Sequence, residues 1–255
     1  MTAELFAQRC TRVPVVLAVI VVVVQIAYPL AHGSLRDTLT IAIVILFAAT
    51  AVTHAAATRG LRTGYAVLAF TAVPGFAAEA IGVRIGVPFG SYAYRDTLGP
   101  QVLNVPVVVA LAWTMLAWPA AVAARHLAAG FAPRVLIGAW ALATADLFLD
   151  PQMVAAGHWH WDDPSPSLPG IPNVPLTNYA GWAAVALVLS VLLQILLRGG
   201  TEHLDDRVPL YLYLWLWLGW VVALGVFLDL PAAAAWGALG MGCVGVPLAV
   251  TLVRR

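Results

Sequence analysis

The stretch VPVVLAVIVVVVQIAYPLA, residues 13–31, contains no charged side chain. It is as long as the run of about 20 apolar residues that a helix needs to cross the hydrocarbon layer of a membrane. The rest of the 255-residue chain has the same character, because 62% of its residues are hydrophobic and only 10% are charged. Soluble domains carry roughly 25% charged residues. The sequence therefore predicts an integral membrane protein.

Apolar runs of similar length recur along the chain. They are continuous and do not alternate with polar residues, which favours helices over strands. A chain of this length forms one unit, so we expect an all-α bundle of about eight transmembrane helices and a single integral membrane domain over residues 1–255. The predicted spans are residues 13–31, 39–57, 64–81, 104–124, 134–156, 178–197, 210–229 and 232–253.

The arginines indicate the orientation of the bundle. Cytoplasmic loops are enriched in basic residues, and all 13 basic residues of this chain are Arg. With eight spans and a cytoplasmic N-terminus, ten arginines lie inside, and only Arg36, Arg84 and Arg95 lie outside. We therefore predict a multi-pass protein of the cell membrane with both termini in the cytoplasm. The net charge of +1 indicates no nucleic-acid partner.

The 12 acidic residues are distributed unevenly in that orientation. The predicted cytoplasmic side holds Glu4, Glu202, Asp205 and Asp206 in ordinary polar segments. The opposite half holds the others, which are Asp37, Glu79, Asp96, Asp146, Asp150, Asp162, Asp163 and Asp229. Four of these, Glu79, Asp146, Asp150 and Asp229, lie within or at the ends of spans. An ionisable group at membrane depth is expensive and therefore marks a candidate functional site.

Asp146 and Asp150 lie in the segment ADLFLDP, residues 145–151. A spacing of four residues places both carboxyl groups on one face of a helix. Two carboxyl groups this close in an apolar setting cannot both ionise cheaply, so we expect one to keep its proton near neutral pH. Such a pair can give and take a proton. The alternative is a helix end whose acids pair with an arginine such as Arg84 or Arg95.

Glu79 lies near the end of the third predicted span, after Pro74 and Gly75. A Pro-Gly pair inside a span loosens the backbone and often marks a kink over a cavity. We expect Glu79 to belong to the site, and the alternative is an acid that reaches the membrane interface. Asp229 is interpreted as a helix-end residue, and the remaining acids of this half as solvated.

Two long connections, residues 82–103 and 157–177, lie on the same predicted side as these acids and are rich in Gly, Pro and aromatic residues. Tyr92 and Tyr94 alternate with other residues in the first connection, and Trp159 and Trp161 do so in the second. Their rings suit a long apolar ligand or a developing carbocation. The alternative is an aromatic belt at the membrane interface.

Other polar residues allow further interpretations. Asn173 and Asn178 flank the start of the sixth span, where Asn commonly caps a helix, and either could instead hold a water molecule. His158 and His160 flank Trp159, but the histidines are too few and too scattered for a di-iron enzyme, so we expect no metal. The chain has no Walker motif and no G-x-G-x-x-G after a strand, so no nucleotide cofactor is indicated. The segment GALGMG, residues 237–242, indicates close helix packing.

Several short motifs occur in an order that resembles the CruF-like carotenoid biosynthesis proteins. They are EAIGVRIGVPFGSYAY at 79–94, LGP at 98–100, VP at 105–106, DLFLDP at 146–151, GHWHW at 157–161, GIP at 170–172 and NYAGW at 178–182. The resemblance implies a small polytopic membrane enzyme that adds water across the terminal 1,2 double bond of an acyclic carotenoid. Its substrates would be C40 carotenes such as lycopene or the C50 bisanhydrobacterioruberin.

Together with this implied activity, the acids at membrane depth and the residues of the two long connections define the predicted site. Asp146, Asp150 and Glu79 would be catalytic. The substrate-binding residues would be Tyr92, Tyr94, Trp159, Trp161, Phe89, Asn178, Arg84 and His158. We expect a protonated member of the aspartate pair to protonate C2, aromatic faces to stabilise the cation at C1, and a held water to attack C1. No redox cofactor is expected.

The expected substrate stays in the lipid bilayer and enters through a lateral opening between helices. The protein could associate with other enzymes of the carotenoid pathway. Two other functions remain open. The first is a lycopene-cyclase-like enzyme, in which a second double bond captures the cation instead of water. The second is a transporter of a lipid or small solute, in which the buried acids relay protons.

Overall fold

The structure is a computed structural model that describes residues 3–198 and 205–254, with side chains from residue 12 onward. Glu202 and Arg255 lie outside the described residues, as do the side chains of Glu4 and Arg9. The described helices are α1 (Ala3–Ala27), α2 (Ser34–Arg59), α3 (Leu61–Ile85), α4 (Val107–Leu127), α5 (Phe131–Ala143), α6 (Asp146–Ala155), α7 (Leu176–Leu196), α8 (Arg207–Val222) and α9 (Pro231–Val253). A 3-10 turn, Tyr28–Leu30, extends α1, and a π-helical segment, Ala223–Phe227, extends α8.

Within the described residues, eight helical segments are long and apolar enough to cross a membrane. They are Arg12–Leu30, Ser34–Arg59, Leu61–Ile85, Val107–Leu127, Phe131–Ala155, Leu176–Leu196, Arg207–Phe227 and Pro231–Val253. Each coincides with one of the predicted runs, so the predicted all-α membrane bundle is confirmed. The side of the membrane that holds the termini stays a prediction.

The fifth span is not the continuous helix that the sequence predicts. It consists of α5 and α6, which are separated at Thr144 and Ala145. At this joint the amide of Ala145 donates to the carbonyl of Leu142, and the amide of Leu147 donates to that of Thr144, so three-residue hydrogen bonds replace the helical ladder. The joint makes Asp146 the first residue of α6.

The two long connections contain short strands, which the sequence did not lead us to predict. The first contains β1 (Tyr92–Tyr94), β2 (Gln101–Val102) and β3 (Val105–Pro106). The second contains β4 (Trp159–Trp161), β5 (Ser167–Leu168) and β6 (Ile171–Pro175). Strands β1 and β4 pair antiparallel, which ties the two connections together across one end of the bundle. We call this end the long-loop face.

Helix α9 packs closely against α6 through its glycines. A Cβ atom on Gly237 would lie 2.5 Å from the ring of Phe148, and one on Gly240 would lie 2.6 Å from the side chain of Leu147. A side chain at either glycine would force the facing side chain of α6 to move. The predicted close packing at residues 237–242 is therefore confirmed, and it fixes the helix that carries both candidate aspartates.

The opposite end of the bundle is held by a polar network. Arg59 forms an ion pair with Asp206 at 2.7 Å, and its guanidinium lies 5.1 Å from the centre of the Trp118 ring. Nearby, the side chain of Arg207 forms hydrogen bonds with Asp205 and lowers the pKa of that carboxyl below its usual value. These contacts attach the start of α8 to α2. They lie at the end of the bundle opposite the long-loop face, which contains the candidate site.

Candidate active site

Glu79 is buried at the long-loop end of α3, where three side chains can donate to its carboxyl group. The hydroxyls of Tyr92 and Tyr94 lie 2.5 and 2.9 Å from Oε2. The indole Nε1 of Trp113 lies 3.1 Å from Oε1. Only 5% of Glu79 is exposed. The alternative of an acid that reaches the membrane interface is therefore wrong for Glu79.

A glycine in α3, the helix that carries Glu79, allows one of these donors, Trp113, to approach the carboxyl group. Helix α3 continues through Pro74, and a Cβ atom on Gly75 would collide with the indole of Trp113. The absence of a side chain at Gly75 thus lets α4 approach α3 closely. This approach brings the N–H of Trp113, from a different span, within reach of the Glu79 carboxyl group.

The two tyrosines act as donors because both keep their protons. Burial, followed by the adjacent Glu79 carboxyl group, raises the pKa of the Tyr92 and Tyr94 phenols well above the usual value of 10. Both residues belong to β1, where a spacing of two residues turns their side chains to the same side of the strand. The strand thus presents two phenol O–H groups to one carboxylate oxygen.

Asp146 and Asp150 form the second part of the site. Asp146 is fully buried and Asp150 is nearly so. The side-chain amide of Asn178 donates to Oδ2 of Asp146 at 2.7 Å and also to Oδ2 of Asp150. One nitrogen therefore links both carboxyl groups, which confirms that the two acids share one helical face. The second oxygen of Asp146, Oδ1, is buried without a hydrogen-bond partner.

The alternative partners of these acids are not observed. Within residues 12–198 and 205–254, no ion pair includes Asp146 or Asp150, so the interpretation of a helix end paired with Arg84 or Arg95 is wrong. Asn178 is not a helix cap either, because α7 begins at Leu176 with Pro175 in the cap position. Its amide is used entirely inside the bundle, between the two acids.

Aromatic rings connect the two groups of acids. Trp113 stacks on Trp182 with ring centres 4.1 Å apart, and the indoles of Trp182 and Trp159 interact with Asp150. In the β1–β4 pair, Tyr92 lies opposite Trp161 and Tyr94 lies opposite Trp159. The ring centres of these pairs are 5.6 and 5.4 Å apart. The four loop aromatics therefore form one wall inside the protein.

A cavity of about 490 Å³ adjoins this wall. Most of the predicted site residues line it, namely Glu79, Asp150, Phe89, Tyr92, Tyr94, Trp159, Trp161 and Asn178. Its other walls come from the end of α1, from α2, from α4 and from α8. The volume lies within the range of about 300–1,000 Å³ that is typical of small-molecule sites. The lining is mostly apolar, and the acids provide reactive groups at one part of it.

Three predicted site residues do not line the cavity. Asp146 lies behind Asp150 and Asn178. Arg84 is exposed on the surface of α3. His158 is buried with its Nδ1 2.7 Å from the hydroxyl of Thr97 and its Nε2 3.9 Å from Asp37. Burial lowers the pKa of His158 below its usual value of 6.5, and the weaker opposing effect comes from Asp37.

The remaining polar candidates are also away from the acids. Asn173, His160 and Asp229 are exposed. The loop acids make local contacts; for example, Asp162 accepts a hydrogen bond from Ser91 at 2.7 Å. Among the side chains that the structure describes, no group of three or more His, Cys, Asp and Glu is arranged to hold a metal ion.

The sequence interpretation missed two residues of the site, Trp113 and Trp182. Both lie inside apolar runs, where the sequence does not distinguish a tryptophan that faces lipid from one that packs in the core. A signal was nevertheless present for Trp182, because it ends the motif NYAGW and follows Asn178 by one helical turn. No comparable signal marks Trp113, whose role depends on its close approach to Gly75.

The fold and the site define a polytopic membrane protein with buried acids at one end of an aromatic-lined cavity. This chain belongs to the carotenoid biosynthesis protein family, whose sequence profile matches residues 40–247. The resemblance indicated by the motifs is thereby confirmed. One relative, bisanhydrobacterioruberin hydratase of Haloarcula japonica, is 34% identical over 136 residues. That match covers 50% of this chain and 44% of the relative, so the chain spans less than half of the relative's length. No solved structure matches this chain.

Proposed function

We propose that this protein hydrates the terminal 1,2 double bond of an acyclic C40 or C50 carotenoid and produces a tertiary alcohol. The observation that carries the proposal is a mostly apolar cavity that presents Asp150 and Glu79 beside aromatic rings. Family membership and the partial similarity to a protein named as a hydratase support it. Addition of water to an alkene changes no overall oxidation state, so the reaction proposed requires no redox cofactor.

The first step is proton transfer to the alkene. Asp150 is the proton donor, because it lines the cavity whereas Asp146 does not. The O–H bond of Asp150 breaks, its proton bonds to C2, and the π electrons leave a tertiary cation at C1. Asp146 and Asn178 position Asp150, since Asn178 donates to both acids. General acid catalysis of this kind is typically worth about 10²- to 10⁴-fold in rate.

The second step is capture of the cation by water. Glu79 stabilises the positive charge at C1 from a fixed position, because Tyr92, Tyr94 and Trp113 hold its carboxyl group. Preorganised charge in a site without bulk water is commonly the largest contribution to catalysis. The faces of the neighbouring indoles add cation–π stabilisation. Water bonds to C1 and gives a proton to Glu79. Net transfer of one proton from Glu79 to Asp150 then restores both acids and completes the cycle.

Pigment analysis tests the proposal. The chain is expressed in one host that accumulates lycopene and in another that accumulates bisanhydrobacterioruberin, and extracted pigments are analysed by mass spectrometry. A gain of one or two waters is expected in at least one host. A new product of unchanged mass would indicate the cyclase-like reaction instead. Unaltered pigment in both hosts would reject the hydratase proposal.

We also propose the cellular setting, which the apolar spans and the distribution of the arginines support. The protein is a single integral domain of the cell membrane, its termini are cytoplasmic, and its substrate is dissolved in the bilayer. The supply of such an apolar substrate favours association with other membrane enzymes of the carotenoid pathway. A reporter that is active on only one side of the membrane, fused after residue 255, tests the orientation of the C-terminus.

A further inference from the structure

The cavity is not enclosed by buried residues on all sides. Five of its lining side chains, Ile26, Leu30, Leu218, Val222 and Phe227, are each more than half exposed. All five are apolar, and all belong to segments that cross the membrane. Exposed apolar side chains of a spanning segment face lipid. The cavity thus reaches the lipid-facing surface of the bundle at these residues.

These five residues come from two neighbouring segments. Ile26 and Leu30 belong to the end of α1 and its 3-10 turn, whereas the others belong to α8 and its π-helical segment. π-helical turns are rare in proteins as a whole, and those that occur are often at functional sites. Exposed side chains of both segments line the cavity, and we call the part of the surface that they form the lateral opening.

One hydrogen bond bounds the lateral opening on the side away from the long loops. The indole Nε1 of Trp215 donates to Oε1 of Gln25 at 2.8 Å and thereby links α8 to α1. Both residues line the cavity. Gln25 directly precedes Ile26, and Trp215 lies about one turn before Leu218, so this bond lies at the edge of the opening. It therefore joins α1 to α8 beside the exposed apolar residues of the opening.

We propose that the lateral opening admits the end of a long acyclic polyene sideways from the bilayer, while the rest of the chain stays in lipid. The site then recognises the end group and does not measure the total length of the substrate. This inference rests on the proposed function for the identity of the ligand. Its geometric basis is a cavity of about 490 Å³ that has acids at one part and exposed apolar residues at another.

The test narrows the lateral opening with one large side chain. Val222→Trp places an indole at the opening, and Val226→Trp is the matched control, because Val226 is 71% exposed in the same turn and does not line the cavity. Two quantities are measured for each variant: the rate of polyene hydration in membranes and the polyene retained by the purified protein. Val222→Trp should lower both about tenfold, and Val226→Trp should leave both within about twofold.

A second variant protects the test against misfolding. Ile26→Trp narrows the opening from the α1 side, and it should have the same effect as Val222→Trp if the lateral opening is the entrance. Equal activity and equal retention in both narrowed variants and in the control would overturn the inference. If the unmodified protein binds polyene but hydrates none, and Val222→Trp loses that binding, the opening stands and the proposed reaction fails.

Substrate length provides an independent readout. Two acyclic polyenes with identical end groups but different numbers of conjugated double bonds are offered separately to the same membranes. Their initial rates should agree within about threefold, because the variable part lies outside the cavity. Rejection of the longer polyene would overturn recognition by the end group alone. A polyene that ends in a closed ring is the control substrate. It should not be hydrated, whether or not the site is sensitive to polyene length, because it lacks the acyclic end group.

Discussion

Removal of the hydroxyl groups that hold Glu79 should slow hydration without unfolding the protein. In Tyr92→Phe the ring stays, so the packing of β1 against Trp161 is retained, but Oε2 of Glu79 loses its 2.5 Å hydrogen bond. Tyr94 still donates to the same oxygen at 2.9 Å. The single variant therefore weakens the support of the carboxylate, and the double variant Tyr92→Phe/Tyr94→Phe removes every described donor to Oε2.

The size of the effect follows from the strength of such bonds. A hydrogen bond to a charged group contributes about 1.5–3 kcal/mol. Because 1.36 kcal/mol corresponds to a tenfold change in rate, Tyr92→Phe should lower kcat/KM roughly 10- to 100-fold. The double variant should lose more than either single variant, but less than the product of the two losses, because both hydroxyls act on one atom.

Initial rates of product formation in membranes that contain equal amounts of folded protein measure this effect. The matched control is Tyr213→Phe, since Tyr213 is equally buried but donates to the carbonyl of Met241 at 3.3 Å, away from the cavity. The control should retain the rate of the unmodified protein. If the double variant stays within about threefold of the control, Glu79 does not act as a preorganised carboxylate and the proposed second step is wrong.

Three further predictions concern the acids, the buried histidine and the helix packing. Asp150→Asn should reduce hydration by about 10²-fold or more, and Asp146→Asn should reduce it less, because Asp146 only positions the donor. Thermal stability should fall as the pH drops below about 6.5, since the unfolded chain binds a proton that buried His158 resists, and His158→Gln should reduce this pH dependence. Gly237→Val should lower the unfolding temperature through a cost of about 1–3 kcal/mol, because its side chain collides with Phe148.

Each of these predictions has an opposing result. Equal losses in both aspartate variants would remove the distinction between donor and positioning residue. A stability that is independent of pH from 7 to about 5 would show that His158 is protonated without cost in the folded protein. For the packing prediction, Ala235→Val on the exposed side of α9 is the control, and an equal change in unfolding temperature in both variants would mean that the glycine contact is not the cause.

The spans were predictable because hydropathy measures the preference of a segment for an apolar environment over water, and a long apolar segment is stable as a helix in the membrane. An apolar run of sufficient length has few alternatives in a chain with 10% charged residues. The joint in the fifth span was not predictable in the same way. Thr144 and Ala145 are compatible with a helix, and neither glycine nor proline marks the site. In the folded protein, Thr144 at the joint and Leu147 of α6 contact α9 at Gly240, a tertiary contact that the local sequence does not report.

The acids could be identified as candidates because charge is rare at this depth, but their partners could not. Asn178 was a candidate for a cap or a water ligand, and its actual partners are more than 25 residues away along the chain. The alternation of Tyr92 with Tyr94 and of Trp159 with Trp161 has a period of two, which is the signal of a strand. The pairing of these strands across two separate connections requires the folded bundle.

The position of the cavity near one end of the bundle has a consequence for molecules that carry the same reactive group at both termini. Only one terminus can occupy the cavity while the remainder lies among the lipid tails. If the protein hydrates such a molecule as proposed, the first product has to withdraw, turn end over end in the bilayer and return before its second terminus reacts. Under the proposed function the enzyme would be distributive and would release a half-converted pigment, so the ratio of mono- to dihydroxylated product would depend on how fast the pigment reorients relative to catalysis.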